Sequence, residues 1–254
     1  MIYLTGDTHG NFIRLHEDSF YEQKEMTKDD YLIIAGDFGG IWAQEEHNGE
    51  KMELDWLESL TFTTLFVDGN HENFNRLNNY PVKEWHGGKV HEIRPSVLHL
   101  MRGEVFEIDG KKFFTFGGAS SHDIQDGILD PDDFCDEYDF RRTYNKWWNE
   151  GKVFRVKGLS WWPEELPSKD EMQNGLNNLE KHNWKVDFVV THSPSASIIA
   201  LLGSGLYEQD ILTRYLEEIR VKLDYKRWIA GHMHVCQQVN ANDILLYEQI
   251  IRIA

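Results

Sequence analysis

Five short blocks of this 254-residue sequence end in side chains that bind metals. They are Gly6-Asp7-Thr8-His9-Gly10, Gly36-Asp37-Phe38-Gly39-Gly40, Gly69-Asn70-His71-Glu72, Thr191-His192-Ser193 and Gly231-His232-Met233-His234. Asp7 and His9 stand two positions apart, so both can face one side of a loop and serve one cation. Asp37 is the sole carboxylate of its block, among glycines that let backbone and metal approach closely. A carboxylate can bridge two cations, because each oxygen serves one. Asn70 offers a neutral amide oxygen, and His192, His232 and His234 offer imidazole nitrogens. This mixed oxygen and nitrogen set suits Mn²⁺, Fe, Zn²⁺ or Ni²⁺ better than Ca²⁺ or Cu(I). Mn²⁺ is the expected ion. Two such cations about 3.5–4 Å apart can share a hydroxide and polarise a phosphoryl oxygen, the arrangement used for in-line displacement at phosphorus.

Each block needs an element to position it, and each follows or ends a short apolar run. The runs are Ile2-Tyr3-Leu4, Tyr31-Leu32-Ile33-Ile34-Ala35, Thr64-Leu65-Phe66-Val67, Phe188-Val189-Val190 and Trp228-Ile229-Ala230. Ligands that emerge where buried strands stop describe a site at the carboxyl edge of an α/β sheet. Strands are expected near 2–5, 31–35, 63–68, 96–100, 103–108 and 112–117, the last two joined at the hairpin signal Asp109-Gly110. Helices are expected over 11–20, 50–60 and 73–78. Further on, Ser168 with Glu171 makes a capping box for a helix over 168–182. Strand 186–191, helix 206–220, strand 227–231 and a closing hairpin of 235–239 with 244–248 complete the pattern. The reading is one domain over 1–254 with an insertion at about 119–166. Too aromatic for a floppy linker, the insertion is expected to pack over the sheet edge, as a lid beside the site or as an elaboration with packing duties only.

Bulk properties set outer limits. A hydrophobic fraction of 41% is ordinary for a soluble protein, and no apolar stretch approaches the length of a membrane helix. With no basic leader before the first strand, a cytoplasmic protein without a membrane partner is expected. Cys135 and Cys236 are far apart and in no ligand spacing, so no disulfide is expected, and Cys236 reads as a packed thiol. The formal net charge of −17 disfavours extended contact with nucleic acid, which needs rows of Lys and Arg against phosphates. A small phosphorylated substrate remains compatible, because bound divalent cations invert the local field.

The ordered set Asp-x-His, Gly-Asp, Gly-Asn-His-Glu, His and Gly-His-x-His resembles the calcineurin-like metallophosphoesterases, over residues 5 to 234. The resemblance implies a double β-sandwich flanked by helices. It implies one divalent cation on Asp7, His9, Asp37 and His234, and a second on Asp37, Asn70, His192 and His232. His71 would contact the phosphate and protonate the leaving oxygen, a task that suits an imidazole titrating near neutrality. The implied activity is hydrolysis of phosphomonoesters or phosphodiesters, with small or nucleotide-type substrates favoured. An isolated histidine is more often a surface or core residue than a ligand, and His16, His47, His86, His91, His99, His122 and His182 receive no role.

The match departs from the protein serine/threonine phosphatase branch. Both of that branch's motif arginines are missing, with Gly39 and Gly40 in the second block and Asp68 before the third. A phosphoprotein phosphatase is thus the weaker enzymatic alternative. A protein-binding scaffold on the same fold is the non-enzymatic one, and it should have lost ligands or His71. Phosphate-clamping arginines must come from elsewhere, and Arg76, Arg141 and Arg142 are the candidates. Asp123 either orients His71 or caps a turn, the turn being the commoner use. Trp147, Trp148, Trp161 and Trp162 either stack on a nucleobase or form the underside of the insertion, again the commoner use.

Overall fold

A computed structural model describes residues 1–203 and 209–254 of the chain. Its frame is two β-sheets. The first contains β1 (Ile2–Thr5), β2 (Tyr31–Ile34), β3 (Thr63–Phe66), β4 (Val82–Trp85), β5 (Gly88–Arg94) and β6 (Val97–Leu100). The second begins with β7 (Glu104–Ile108) and β8 (Lys111–Phe116). A separate parallel pair follows, β9 (Gly127–Leu129) and β10 (Phe154–Val156). The second sheet then resumes with β11 (Phe188–Thr191), β12 (Arg227–Ala230), β13 (Gln237–Gln238) and β14 (Asp243–Leu245). Strand β15 (Ile251–Arg252) returns to pair antiparallel with β1. The sheet orders are β15-β1-β2-β3-β6-β5-β4 and β13-β14-β12-β11-β8-β7.

The central strands are buried on both faces, which is why they read as unbroken apolar runs. Successive residues still obey the period of two. Ile2, Leu4, Ile33, Leu65 and Leu98 from the first sheet meet Phe106, Phe113, Phe188, Val190 and Ile229 from the second, forming the core between sheets. Tyr3, Leu32, Ile34 and Phe66 point the other way, onto α1 (Asn48–Ser59) and α2 (Phe74–Leu77). Phe114, Phe116, Val189 and Trp228 pack outward with residues of α4 (Lys169–Lys181), α5 (Ala196–Gly203) and α6 (Ile211–Lys222). The result is the expected α/β double sandwich with helices on both outer faces. Between β9 and β10 lies the remaining helix, α3 (Glu137–Asn149), none of whose residues is buried.

The Asp109-Gly110 hairpin forms with positive φ at both positions, and Ser168 and Glu171 make the full capping box. Five local features differ from expectation. The expected helix over 11–20 is instead two short 3-10 turns, Ile13–Leu15 and Tyr21–Glu25. The Gln23 side chain donates to the carbonyls of Leu15 and Phe20, at 2.9 Å each, and so takes acceptors that a continuing helix would use. The hairpin β4–β5 and the helix α5 appear where none was expected. Helix α6 starts at Ile211, and positions 206–208 of the helix expected there lie outside the described residues. Cys236 is exposed rather than packed, its sulfur accepting from the Tyr247 N–H at 3.4 Å. No helix among the described residues is long and apolar enough to cross a membrane.

Beneath the third block lies a buried polar knot. Asp68 accepts from Arg102 Nε at 2.9 Å, its other oxygen faces His99 Nε2 at 3.0 Å, and Arg102 Nη2 donates to the Glu164 carbonyl at 2.7 Å. Burial alone would raise the Asp68 carboxyl, but Arg102 and His99 outweigh it and hold it well below the usual range. Removing one partner strands the other charge in the interior. Arg102→Ala is therefore expected to cost about 3–5 kcal/mol of stability, read as a lowered urea midpoint. An unchanged midpoint would show that the knot is not a structural anchor.

Candidate metal centre and active site

All five blocks converge at the carboxyl ends of the central strands. Asp7 and His9 follow β1, Asp37 follows β2, Asn70 and His71 follow β3, His192 follows β11, and His232 and His234 follow β12. Donor atoms of Asp7, His9, Asp37 and His234 form one group and those of Asp37, His192 and His232 a second, each within 4.8 Å. Asp37 belongs to both. Asn70 Oδ1 lies beside the second group, 3.4 Å from His192 Nε2. His9 Nε2 and His234 Nε2 face each other at 3.1 Å, and His234 Nε2 is 3.2 Å from Asp7 Oδ2. Imidazole nitrogens and carboxylate oxygens aimed at common points fit divalent cations.

The electrostatics point the same way. Asp7 and Asp37 are essentially removed from solvent. Backbone N–H groups meet them, from His232 onto Asp7 at 3.0 and 3.1 Å and from His71 onto Asp37 Oδ1 at 2.9 Å. Burial would raise the Asp37 carboxyl, yet its histidine neighbours, His192 foremost, hold it far below the usual range. Burial likewise opposes a charge on His192, but Asp37 and then Asp7 push that imidazole up to about 10. The pocket therefore favours positive charge, which a cation held by these donors would supply in place of the proton. His192 Nδ1–H donates to the Ala35 carbonyl at 2.9 Å, which leaves Nε2 facing Asn70 Oδ1 at 3.4 Å and Asp37 Oδ1 at 3.3 Å.

Local backbone choices make this convergence possible. A Cβ on Gly36 would fall on the His192 ring, and one on Gly69 would fall on the Asp37 carboxylate. His9, Asp37, His232 and His234 all sit at positive φ, between 44° and 66°, a conformation disfavoured for non-glycine residues. Glu72 steadies the second block, accepting from the N–H groups of Phe38 at 2.7 Å and Gly39 at 3.4 Å. Burial raises its carboxyl well above the ordinary value, with Asp37 and Asp68 adding to the effect. Asn70 is held by donation from Nδ2 to Ser121 Oγ at 3.3 Å, which leaves its Oδ1 toward the histidines.

His71 stands at the rim, stacked against Trp42 with ring centres 5.6 Å apart. Burial, aided by Arg155, lowers it to about 4 against the pull of Asp37. The three arginines proposed from sequence are elsewhere. Arg76 pairs with Glu50 and donates to the Ala43 carbonyl at 3.0 Å. Arg141 and Arg142 lie on the solvent face of α3, paired with Glu137 and Asp139 of the same helix. The arginine beside His71 is Arg155, whose Nη2 is 3.2 Å from His71 Nε2. Asp123 holds both Nε and Nη2 of that guanidinium, at 2.6 and 2.7 Å, so it acts on the site through Arg155.

Two further residues escaped the sequence reading. His122 Nε2 lies 2.8 Å from His232 Nε2. Glu165, pushed up to about 8 by burial, accepts from the Ser121 N–H at 3.2 Å and so backs the Ser121–Asn70 contact. A signal existed for His122, as it did for its neighbour Asp123, which the sequence singled out. They follow the carboxyl end of β8, as the recognised blocks follow their own strands. For Arg155 there was none, because one arginine between Phe154 and Val156 carries no spacing.

With this geometry in place, the comparison with known proteins is direct. The profile of the calcineurin-like phosphoesterase family matches residues 1–236, and the chain belongs to that family of phosphoester hydrolases. Its curated relatives include the lariat debranching enzyme of Schizosaccharomyces pombe, 23% identical over 236 residues, covering 85% of this chain and 45% of that protein. Lariat debranching enzyme A of Xenopus laevis is 21% identical over 257 residues, covering 92% and 42%. The Drosophila pseudoobscura pseudoobscura enzyme is 22% identical over 250 residues, with the same coverage. The chain spans less than half the length of these relatives. They also overturn one expectation. Net charge argued against extended nucleic acid as a partner, whereas the relatives are enzymes whose named substrate, a lariat, is a branched nucleic acid. Overall charge is a weak guide to such a partner, because a divalent cation, where one is bound, sets the local field whatever the global sign.

Asp37→Asn is expected to reduce the metal retained per chain after dialysis, measured by elemental analysis, because the shared donor loses its charge. Gly69→Ala should act alike by displacing the same carboxylate. Full occupancy in both variants would remove Asp37 from the shared position.

Proposed function

We propose that this chain is a metal-dependent phosphodiesterase acting on nucleotide-containing diesters. In this reading Asp7, His9, Asp37 and His234 hold one divalent cation, and Asp37, Asn70, His192 and His232 hold the other. Mn²⁺ is the proposed ion. The observation that carries the reading is one buried carboxylate common to two donor groups, with His71 and Arg155 side by side next to it. Two cavities favour a diester over a monoester. One, of about 430 Å³, reaches His122 and His232, and another, of about 490 Å³, reaches Arg155 and Trp42, so each substituent of the phosphorus has its own space. The names of the relatives support the same choice.

When bound, the cations supply Lewis acidity and lower the pKa of water. The chain's own residues do the rest. Without substrate, His71 Nε2 accepts from Arg155, whose guanidinium always carries its protons. A phosphate oxygen entering between them accepts from Arg155 instead. Its negative charge raises the imidazole, whose Nε2 takes up a proton from solvent and then passes it to the leaving oxygen as the P–O bond breaks. Asp123 keeps the Arg155 fork in plane for this task.

His71→Ala is expected to keep the metal content of the wild type while turnover falls by ~10²–10⁴. The loss should be smaller for a p-nitrophenolate leaving group, which hardly needs a proton, than for an alkoxide. Equal losses on both esters would deny leaving-group protonation, and absent turnover by the metal-loaded wild type would deny the activity.

A further inference from the structure

The cavity beside His71 has a composition unlike the metal centre. Its walls include Trp42, Tyr144, Trp148, Lys152 and Phe154, with Arg155 joining it to the catalytic rim. At about 490 Å³ it falls in the range of small-molecule sites. One wall is rigid. Trp42 is fixed between His71 and the fully buried Trp162, with ring centres 5.6 and 5.7 Å away. Its backbone and that of Ala43 are pinned by Asn73 Nδ2, at 3.3 and 2.9 Å, and Arg76 Nη1 adds a bond to Ala43. Arg76 therefore braces this wall from behind through Nη1, while its Nη2 pairs with Glu50. The other wall comes from the insertion. Tyr144 and Trp148 lie nearly parallel, 11° between planes, and Trp148 is 68% exposed.

A large indole left open to water beside a cationic, aromatic cavity is the composition that receives a flat π-system attached to a phosphate. Among the lining residues Arg155, beside His71, suits the anion, and the rings suit the base. Trp42 and Arg155, which line the cavity, both contact His71 and so border the residue read above as protonating the leaving oxygen.

We propose that this cavity is a nucleobase subsite, holding the base of the leaving nucleotide between Trp42 and the Tyr144–Trp148 pair while Arg155 contacts the adjoining phosphate. The assignment rests on the phosphodiesterase reading above. It gives the insertion a substrate-binding role and restores Trp148 to the stacking use that sequence alone left second.

The test compares two dinucleoside phosphates that differ only in whether the leaving-side sugar carries adenine. Metal-loaded wild type should prefer the complete substrate by roughly 5- to 150-fold in kcat/KM, the span of one base–aromatic stack. In Trp148→Ala the ratio should fall toward one. A ratio near one in wild type, or a ratio preserved in Trp148→Ala, overturns the subsite. If wild type cleaves neither compound, the phosphodiesterase reading has failed, and calorimetry decides the subsite separately. Adenosine monophosphate must then bind more tightly than ribose 5-phosphate, with the difference lost in Trp148→Ala. Equal binding, or none, overturns it.

Discussion

Two carboxylates stripped of water, Asp7 and Asp37, set the terms for everything around them. A buried anion is costly unless it is paired and hydrogen-bonded. The chain meets that demand with backbone N–H groups from His71 and His232 and with a ring of imidazoles. Histidine is the residue for the purpose, because it can hold a proton or give up a lone pair to a cation. Both donors and both sheets are needed. Asp7, Asp37 and Asn70 come from one sheet, while His192, His232 and His234 come from the other. The site is thus a product of the sandwich, in which parallel strands of the two sheets end at the same edge.

The segment after β8 contributes to that edge from outside the main sheets. Ser121 anchors the Asn70 amide, Glu165 backs Ser121, and Arg155 stands against His71 with Asp123 behind it. Arg102 ties the same segment to the interior through the Glu164 carbonyl and Asp68. A guanidinium is thus supplied beside His71 although the motif arginines of the serine/threonine phosphatase branch are absent from this chain. Being forked and held by a carboxylate, it is preorganised for an anion in a manner a lone surface arginine is not.

Much of this was legible beforehand, for a physical reason. Strands buried on both faces leave apolar runs, so Ile2–Thr5, Tyr31–Ile34 and Phe188–Thr191 announce themselves, and the polar blocks at their ends stand out by contrast. Elements without that contrast were missed. Strand β4 is exposed along nearly its whole length and carries no apolar signature. The stretch after Gly10 has Phe12, Leu15 and Phe20 in near-helical spacing, yet Gln23 claims its carbonyls. The arginines failed for a related reason. Arg141-Arg142 attracted attention as a pair, but a pair of charges on a helix with no buried residue belongs to solvent. Arg155, flanked by Phe154 and Val156, reads as a piece of strand, and only tertiary pairing with β9 turns it toward His71.

The left-handed backbone at His9, Asp37, His232 and His234 has a consequence for how substitutions there should be read. At such positions a side chain and its main chain make opposing demands, since the donor is wanted and the Cβ is not. Alanine removes the donor and keeps the steric conflict, whereas glycine removes both. The two replacements are therefore not interchangeable blanks. The difference in stability between them, at each position, isolates the conformational tension the fold sustains to hold that donor in place, on the order of 1–2 kcal/mol per residue.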